Sequence, residues 1–452
     1  MRYIPHSPET VSEMLQTIGV SHFEELLSSI PTEIRVKDRA TGADSWEEKG
    51  LSEIDLSRKY KLLAEENTPT SKIDSYLGGG AYEHFIPSVV KHLGSKPEFL
   101  TSYTQYQPES NQGMLQALFE YQSMMCRLTG MDVSNASHYD GGTSLMEAAL
   151  MAVRRKPGKL LFSTYLNPMW KRILKTYFSE TPEILCEVTA PDGVLTEDTL
   201  KNVDGNISAL IVQNPNYLGI TEDLEALAAY VHSKDGMLIA AVNPIALGFL
   251  EAPGKLGADI VVGEGQPLGN ALSYGGPYFG FMCVKKDWMR KMPGRLVGQT
   301  VDRNGRRGFV LTLQTREQHI RREKAISNIC TNKAICALRA AIYLAYLGES
   351  GLKRVAEECF EKAHELQERL CQIEGLRLSF DKPFFNEFTL RLPKEKHAPD
   401  ILTQLRRLNI LGGIAQEADY LHLSSDITIA VTETKNQEQL DRFVLAWKQV
   451  II

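Results

Sequence analysis

No Cys-x-x-Cys pair and no two histidines at ligand spacing occur in this chain, so nothing in it indicates a structural zinc or any other metal site. Its seven cysteines, in 452 residues, are scattered and odd in number; buried, reduced thiols are expected rather than a disulfide framework. Apolar runs stop short of membrane-spanning length, and Met1-Arg-Tyr-Ile-Pro-His6 lacks the apolar core of a secretory signal, which leaves a cytoplasmic protein as the expectation. An excess of basic charge is missing too. Lysine and arginine total 50 against 56 acidic residues, net −6, which argues against a general nucleic-acid binder and a polybasic membrane protein. What the length does allow is a large core and two or three domains.

Three regions follow from the patterning. Residues 1–74 read as a helical arm. Ser7-Pro8 caps a stripe of Val11, Met14, Leu15 and Ile18 that stops at Gly19, and Ser21 with Glu24 has capping-box spacing before a second short helix. Residues 75–349 form a large α/β domain. Strands are predicted at 160–163, 207–212, 237–242 and 260–262, with helices at 167–178 and 222–233 between them. That alternation implies a mostly parallel sheet covered by helices on both faces. Residues 350–452 change rhythm into a compact α+β domain, with a charged helix over 353–370 and a closing helix over 437–447. Between these regions, 297–313 reads as a hairpin turning at Asn304-Gly305. The basic run Arg316 to Lys324, with Arg321 and Arg322 interleaved with Glu317 and Glu323, reads as a helix crossing between domains with internal ion pairs, favoured over the alternative of an anion site.

Ligands in such sheets sit beyond the carboxyl ends of the strands, and three stretches meet that description. Gly141-Gly142-Thr143-Ser144 make a turn at a helix start, where free N–H groups suit a phosphate; Ser144 and Glu147 have capping-box spacing. Ala240-Ala-Val-Asn243 ends a strand in an amide. Gly263-Glu-Gly-Gln-Pro-Leu-Gly269 follows the next strand with glycines that let the backbone approach a ligand. The order of these motifs resembles fold type I pyridoxal-phosphate enzymes. There a lysine forms an imine just past such a strand, and an aspartate pairs with the pyridine nitrogen. Here Gln266 stands near the lysine's place and Asn243 near the aspartate's. An amide can neither form an imine nor hold the pyridinium protonated as a carboxylate does. Two such absences together point to a degenerate cofactor site.

Further motifs narrow the resemblance. Tyr3-Ile-Pro-His6, Tyr103-Thr-Gln-Tyr-Gln-Pro-Glu109, Tyr139-Asp-Gly-Gly-Thr143, Gly263 to Gly269, Pro293-Gly-Arg295 and Arg316-Glu-Gln-His-Ile-Arg-Arg-Glu-Lys-Ala325 are similar to the P proteins of the glycine cleavage system. Within that family the pattern resembles the subunit without the cofactor lysine. The resemblance implies a partner subunit that binds pyridoxal phosphate covalently, with none bound covalently on this chain. It implies a heterodimer that pairs into a heterotetramer. It also implies decarboxylation of glycine with transfer of the aminomethyl group to the lipoyl arm of the H protein. Tyr103, Tyr106, Gln107 and Glu109 are the candidate contributors to the active site. Two other readings remain at this point: a scaffold or regulatory subunit, and a stand-alone pyridoxal-phosphate lyase or aminotransferase using another lysine.

Overall fold

The computed structural model describes residues 6–35, 50–102, 105–329, 331–416 and 420–451. They fall into two compact units, one ending at Thr68 and one beginning at Pro69. In the first unit the helix Pro8–Ile18 starts where Ser7 Oγ accepts from the Thr10 N–H, and ends at Gly19 in the left-handed conformation (φ 86). The short helix after it is a 3-10 turn, Phe23–Leu27. Its reciprocal cap is formed by Glu25 rather than Glu24, since Glu25 Oε1 accepts from the N–H groups of Ser21 and His22. A further helix, Glu53–Glu65, is capped by Ser52.

The second unit is built on a seven-stranded mixed sheet. Its strands are β2 (Val133–Ser134), β3 (Lys159–Ser163), β4 (Leu185–Val188), β5 (Ile207–Asn214), β6 (Met237–Val242), β7 (Ile260–Glu264) and β8 (Gly280–Val284). The order is β2-β8-β7-β6-β5-β3-β4; β8 runs antiparallel to both its neighbours and the other pairs are parallel. Because side chains alternate along a strand, each apolar run feeds two cores. Leu210, Val212, Leu238, Ala240 and Val261 pack on one face with the helices Gln112–Thr129 and Leu224–Ser233. Ala209, Ile211, Ile239, Ala241, Ile260 and Val262 pack on the other, with the helix Gly141–Arg155. The hairpin is present as β9 (Val297–Val301) and β10 (Arg307–Leu311).

A smaller antiparallel sheet carries the carboxyl-terminal region: β11 (Arg377–Leu378), β12 (Glu387–Arg391), β15 (Asp426–Ala430) and β14 (Ile414–Ala415), in that order. Its own core gathers Phe388, Leu390, Ile427 and Ile429 against Phe443 and Trp447 of the last helix, Gln437–Ile451. One helical run, Ala334–Cys371, serves both cores. It is broken at Gly348 (φ 62, ψ −173). By length and composition this run could also cross a membrane, but Leu338 and Ala341 belong to the core of the large sheet, and Leu366 and Leu370 to the smaller one.

A single extended segment ties the two sheets together. β1 (Asp74–Ser75) pairs in parallel with β13 (Ile410–Leu411), and the Tyr76 carbonyl accepts from the Ala430 N–H. Beyond it, Gly79 N–H and Tyr82 Oη donate to Glu387, while His84 Nδ1 lies 2.7 Å from Glu433. Cys359 Sγ also meets that Glu433 carboxylate, at 3.4 Å, so hydrogen bonds account for this cluster of one histidine, one cysteine and one glutamate.

Two expectations are corrected. The helix behind the phosphate-like turn starts at Gly141 and not at Ser144, because Asp140 reaches the N–H first: its Oδ1 accepts from Thr143 N at 2.8 Å. Ser144 Oγ instead bonds the Asp140 carbonyl, and Glu147 accepts from Ser327. The basic run from Arg316 is not one helix either. It folds as short turns, Gln314–Arg316, Gln318–Arg321 and Arg322–Lys324, with Leu313 in the left-handed conformation (φ 53, ψ 31) and Arg322 also at positive φ (φ 53, ψ −123). The cause is tertiary. Arg316 turns inward to three backbone carbonyls, and Glu317 reaches out of the run to buried Arg295 while also lying 3.7 Å from His319 Nδ1.

Candidate functional site

The carboxyl ends of β5, β6 and β7 converge on one small cavity, lined among others by Tyr82, Gln213, Asn243, Glu264 and Glu387. The helix Pro168–Tyr177 closes it with Trp170. It begins at Asn167, whose N–H donates to Gln213 Oε1 at 2.8 Å and whose Nδ2 donates to the Gly79 carbonyl. The space open to water centres is about 20 Å3, room for about one water. No lysine is among the described residues that line it.

Gln266 is buried beside this cavity and its amide is fully engaged. Oε1 accepts from Tyr82 N–H at 2.9 Å, and Nε2 donates to the carbonyls of Tyr82 (3.0 Å) and Asn270 (2.7 Å). Asn243 lines the cavity, and its Oδ1 accepts from the Ile245 N–H at 3.0 Å, a local turn bond. The phosphate-like turn is equally self-contained. Gly141 N–H donates to Glu264 Oε2 at 3.0 Å, and Thr143 gives both its N–H and its hydroxyl to Asp140. A Cβ on Gly141 would stand 2.8 Å from both the Glu264 nitrogen and the Trp170 ring. Two carboxylates therefore hold the position where a phosphate would need positive potential, and the residues do not fit pyridoxal phosphate.

Burial governs the charges here. It pushes the carboxyls of Glu264 and Glu387 up to about 7. Opposing that, Glu264 accepts from three N–H groups, of Gly141, Gln266 and Phe279. Burial likewise lowers His138 to about 4, so at neutral pH the imidazole next to Ser144 is uncharged.

The loop candidates lie elsewhere. Tyr103 falls outside the described residues. Tyr106 is half-exposed and lines a second cavity, of about 240 Å3, with Arg295 and Glu317. Arg295 Nη2 donates to Tyr106 Oη at 2.6 Å, and the guanidinium lies 4.7 Å from the centre of the tyrosine ring. Gln107 contributes its backbone carbonyl to Ser110 and Asn111, and Glu109 sits in the short turn Pro108–Ser110. None of the three lines the cavity beside Gln266. Sequence reasoning passed over Tyr82, Glu264 and Glu387. For Glu264 the available signal was a single acidic residue at the end of the otherwise apolar strand β7; Glu387 opens β12, Glu-Phe-Thr-Leu-Arg, and carries no such signal.

Comparison with known proteins agrees with this architecture. The family model of the glycine cleavage system P-protein matches residues 1–447. A probable glycine dehydrogenase (decarboxylating) subunit 1 of Desulforamulus reducens is 47% identical over 446 residues, 98% of each chain. The protein of the same description from Carboxydothermus hydrogenoformans is 45% identical over 447 residues, again 98% of each. A solved glycine decarboxylase (P-protein) of the glycine cleavage system, in inhibitor-bound form, superimposes with a TM-score of 0.87 at 40% identity, both chains covered in full. Lactobacillus brevis glutamate decarboxylase, 13% identical with a TM-score of 0.67 over 89% of this chain and 93% of that one, shares the fold alone. With a family model spanning almost its whole length and end-to-end relatives at 45% to 47% identity, the chain belongs to the glycine cleavage system P-protein family, in the group of glycine dehydrogenase (decarboxylating) subunit 1.

Proposed function

We propose that this chain is the half of a hetero-oligomeric glycine dehydrogenase that does not carry the cofactor, and that a partner subunit of the same fold holds pyridoxal phosphate on a lysine. The observation that carries the reading is Gln266, whose amide is hydrogen-bonded at both ends where an imine lysine would be required. The phosphate-like turn supports it, being capped by Asp140 and Glu264. In this reading the partner's cofactor takes up the electrons released when glycine loses carbon dioxide, and the aminomethyl group passes to the lipoyl arm of the H protein. Two heterodimers pair into a heterotetramer, in the cytoplasm. This chain contributes a wall to the active-site mouth. Tyr103, Tyr106, Gln107 and Glu109 are the contributors, with Tyr106 held in place by Arg295.

The test is spectroscopic. The purified chain is mixed with pyridoxal phosphate and treated with borohydride, first alone and then with the partner subunit. A reduced adduct is expected only in the mixture, on a lysine of the partner. A reduced lysine on this chain alone would overturn the proposal. Substituting Tyr106 and Gln107 then separates contribution from scaffolding: loss of turnover with the assembly intact marks an active-site contributor, whereas unchanged turnover marks a scaffold.

A further inference from the structure

Four cations line one cavity of about 260 Å3 beyond the β9–β10 hairpin: Arg290, Arg316, Arg321 and Lys324, with Thr315 adding a hydroxyl. No acidic side chain is among the described residues that line it. Nor does any of the four form an ion pair with a carboxylate among the described residues. Three of them, Arg290, Arg321 and Lys324, are exposed and solvated, but Arg316 is buried, at 7% exposure.

Arg316 is the informative group. A guanidinium has five N–H bonds. Three of these go to backbone carbonyls: Nε to Leu313 at 3.0 Å, Nη1 to Met292 and Nη2 to Gly294 at 3.1 Å. Among the described residues, one N–H on each terminal nitrogen is left over and no carboxylate pairs with the charge. Other sheltered arginines in the chain do have carboxylates: Arg295 faces Glu317, and Arg391 meets Asp426 at 2.9 Å. Burial, with the nearby Arg295 charge, lowers Arg316 to about 10, as an uncompensated cation requires. Keeping a buried charge without a counter-ion is costly, and gathering three more cations around it adds repulsion. The arrangement becomes favourable once an anion enters.

We infer that this cavity binds a phosphate-class oxyanion, through the two remaining Arg316 N–H groups and the charges of Arg290, Arg321 and Lys324. Guanidinium forks match such oxygens two at a time, and a dianion offsets more of the four positive charges than a single carboxylate does. The same chemistry is offered by free phosphate and by the phosphate end of a monoester.

Calorimetric titration of the full chain tests this, at fixed ionic strength in a phosphate-free buffer, with inorganic phosphate, a small alkyl phosphate monoester and acetate as separate titrants. Saturable one-to-one binding of phosphate or of the monoester is expected, and the tighter of the two identifies the source. Acetate should bind at least about tenfold more weakly. The double substitution Arg321→Gln/Lys324→Gln affects exposed side chains and should leave unfolding unchanged while weakening phosphate by about tenfold or more. Arg303→Gln/Arg306→Gln, at the hairpin turn, removes the same charge outside the cavity and should leave binding intact. Absence of saturable binding, equal affinity for acetate, or equal loss in both double variants would each overturn the inference.

Discussion

Gln266 and Tyr82 pair as two strands would, side-chain amide to backbone: Tyr82 N–H donates to Oε1 at 2.9 Å, and Nε2 donates back to the Tyr82 carbonyl at 3.0 Å. The amide thus closes the site it occupies. Gln266→Lys is expected to leave the chain without a reducible pyridoxal-phosphate adduct, because Asp140 and Glu264 still occupy the phosphate turn. The variant should also be less stable by roughly 2–4 kcal/mol, since it buries an ammonium in place of a satisfied amide. Borohydride reduction with peptide mapping, alongside denaturant unfolding, checks both parts.

Glu387 should make stability depend on pH. Its carboxyl is raised to about 7 by burial, against 4.5 for an ordinary glutamate. Below about pH 4.5 it is protonated both folded and unfolded, and its contribution is fully present. Between 4.5 and 7 the unfolded chain ionises while the folded one resists, so stability falls as pH rises. Glu387→Gln keeps an acceptor for Gly79 and a partner for Tyr82 Oη. Its unfolding free energy should drop less between pH 5 and 7.5 than that of the parent, by about 1–3 kcal/mol. Parallel curves for the two proteins would contradict the assignment.

The buried Arg295–Glu317 pair should be intolerant of losing one partner. Glu317→Gln leaves the arginine charged in a sheltered place and is expected to cost about 3 kcal/mol. Tyr106 depends on the same guanidinium. Tyr106→Phe, which removes only the hydroxyl, should cost about 1 kcal/mol, and less than that once Glu317 is already Gln. A double-mutant cycle measures this coupling.

Gly219 and Gly305 both have positive φ, of 87 and 74, but only the first is crowded. An added Cβ would lie 2.0 Å from the Glu387 carbonyl oxygen at Gly219 and would meet nothing within 4 Å at Gly305. Alanine should therefore cost about 1 kcal/mol at Gly305 and about 2–4 kcal/mol at Gly219. Equal unfolding midpoints for the two variants would rule out the packing argument.

The central strands were readable in the sequence because they are apolar on both faces: 237–242 is apolar throughout, and 207–212 is interrupted only by Ser208. β8 was not, since Gly280 and the glycines before it resemble a loop until the strand is seen antiparallel beside β7. The capping choice at Asp140 over Ser144 was similarly undetermined, as both are good caps and the tertiary contact with Glu264 decides between them. The amide at Gln266 was visible as a chemical absence. What fills the site in its place was not, because Tyr82 and Glu387 lie far from Gln266 in sequence and only the folded chain brings them together.

The segment from Asp74 to His84 has a consequence for how the chain is made. Its partners stand 184 residues downstream at Gln266 and as far as 368 residues downstream at Arg442. Contacts of such separation form slowly, and during synthesis they cannot form at all until the downstream strands have emerged. An early segment with unpaired backbone groups must therefore wait beside the growing polypeptide, which is where a holding chaperone would act. Truncation after the large sheet would leave Asp74, Tyr76 and Glu83 without the β13, Ala430 and Lys435 groups that receive them.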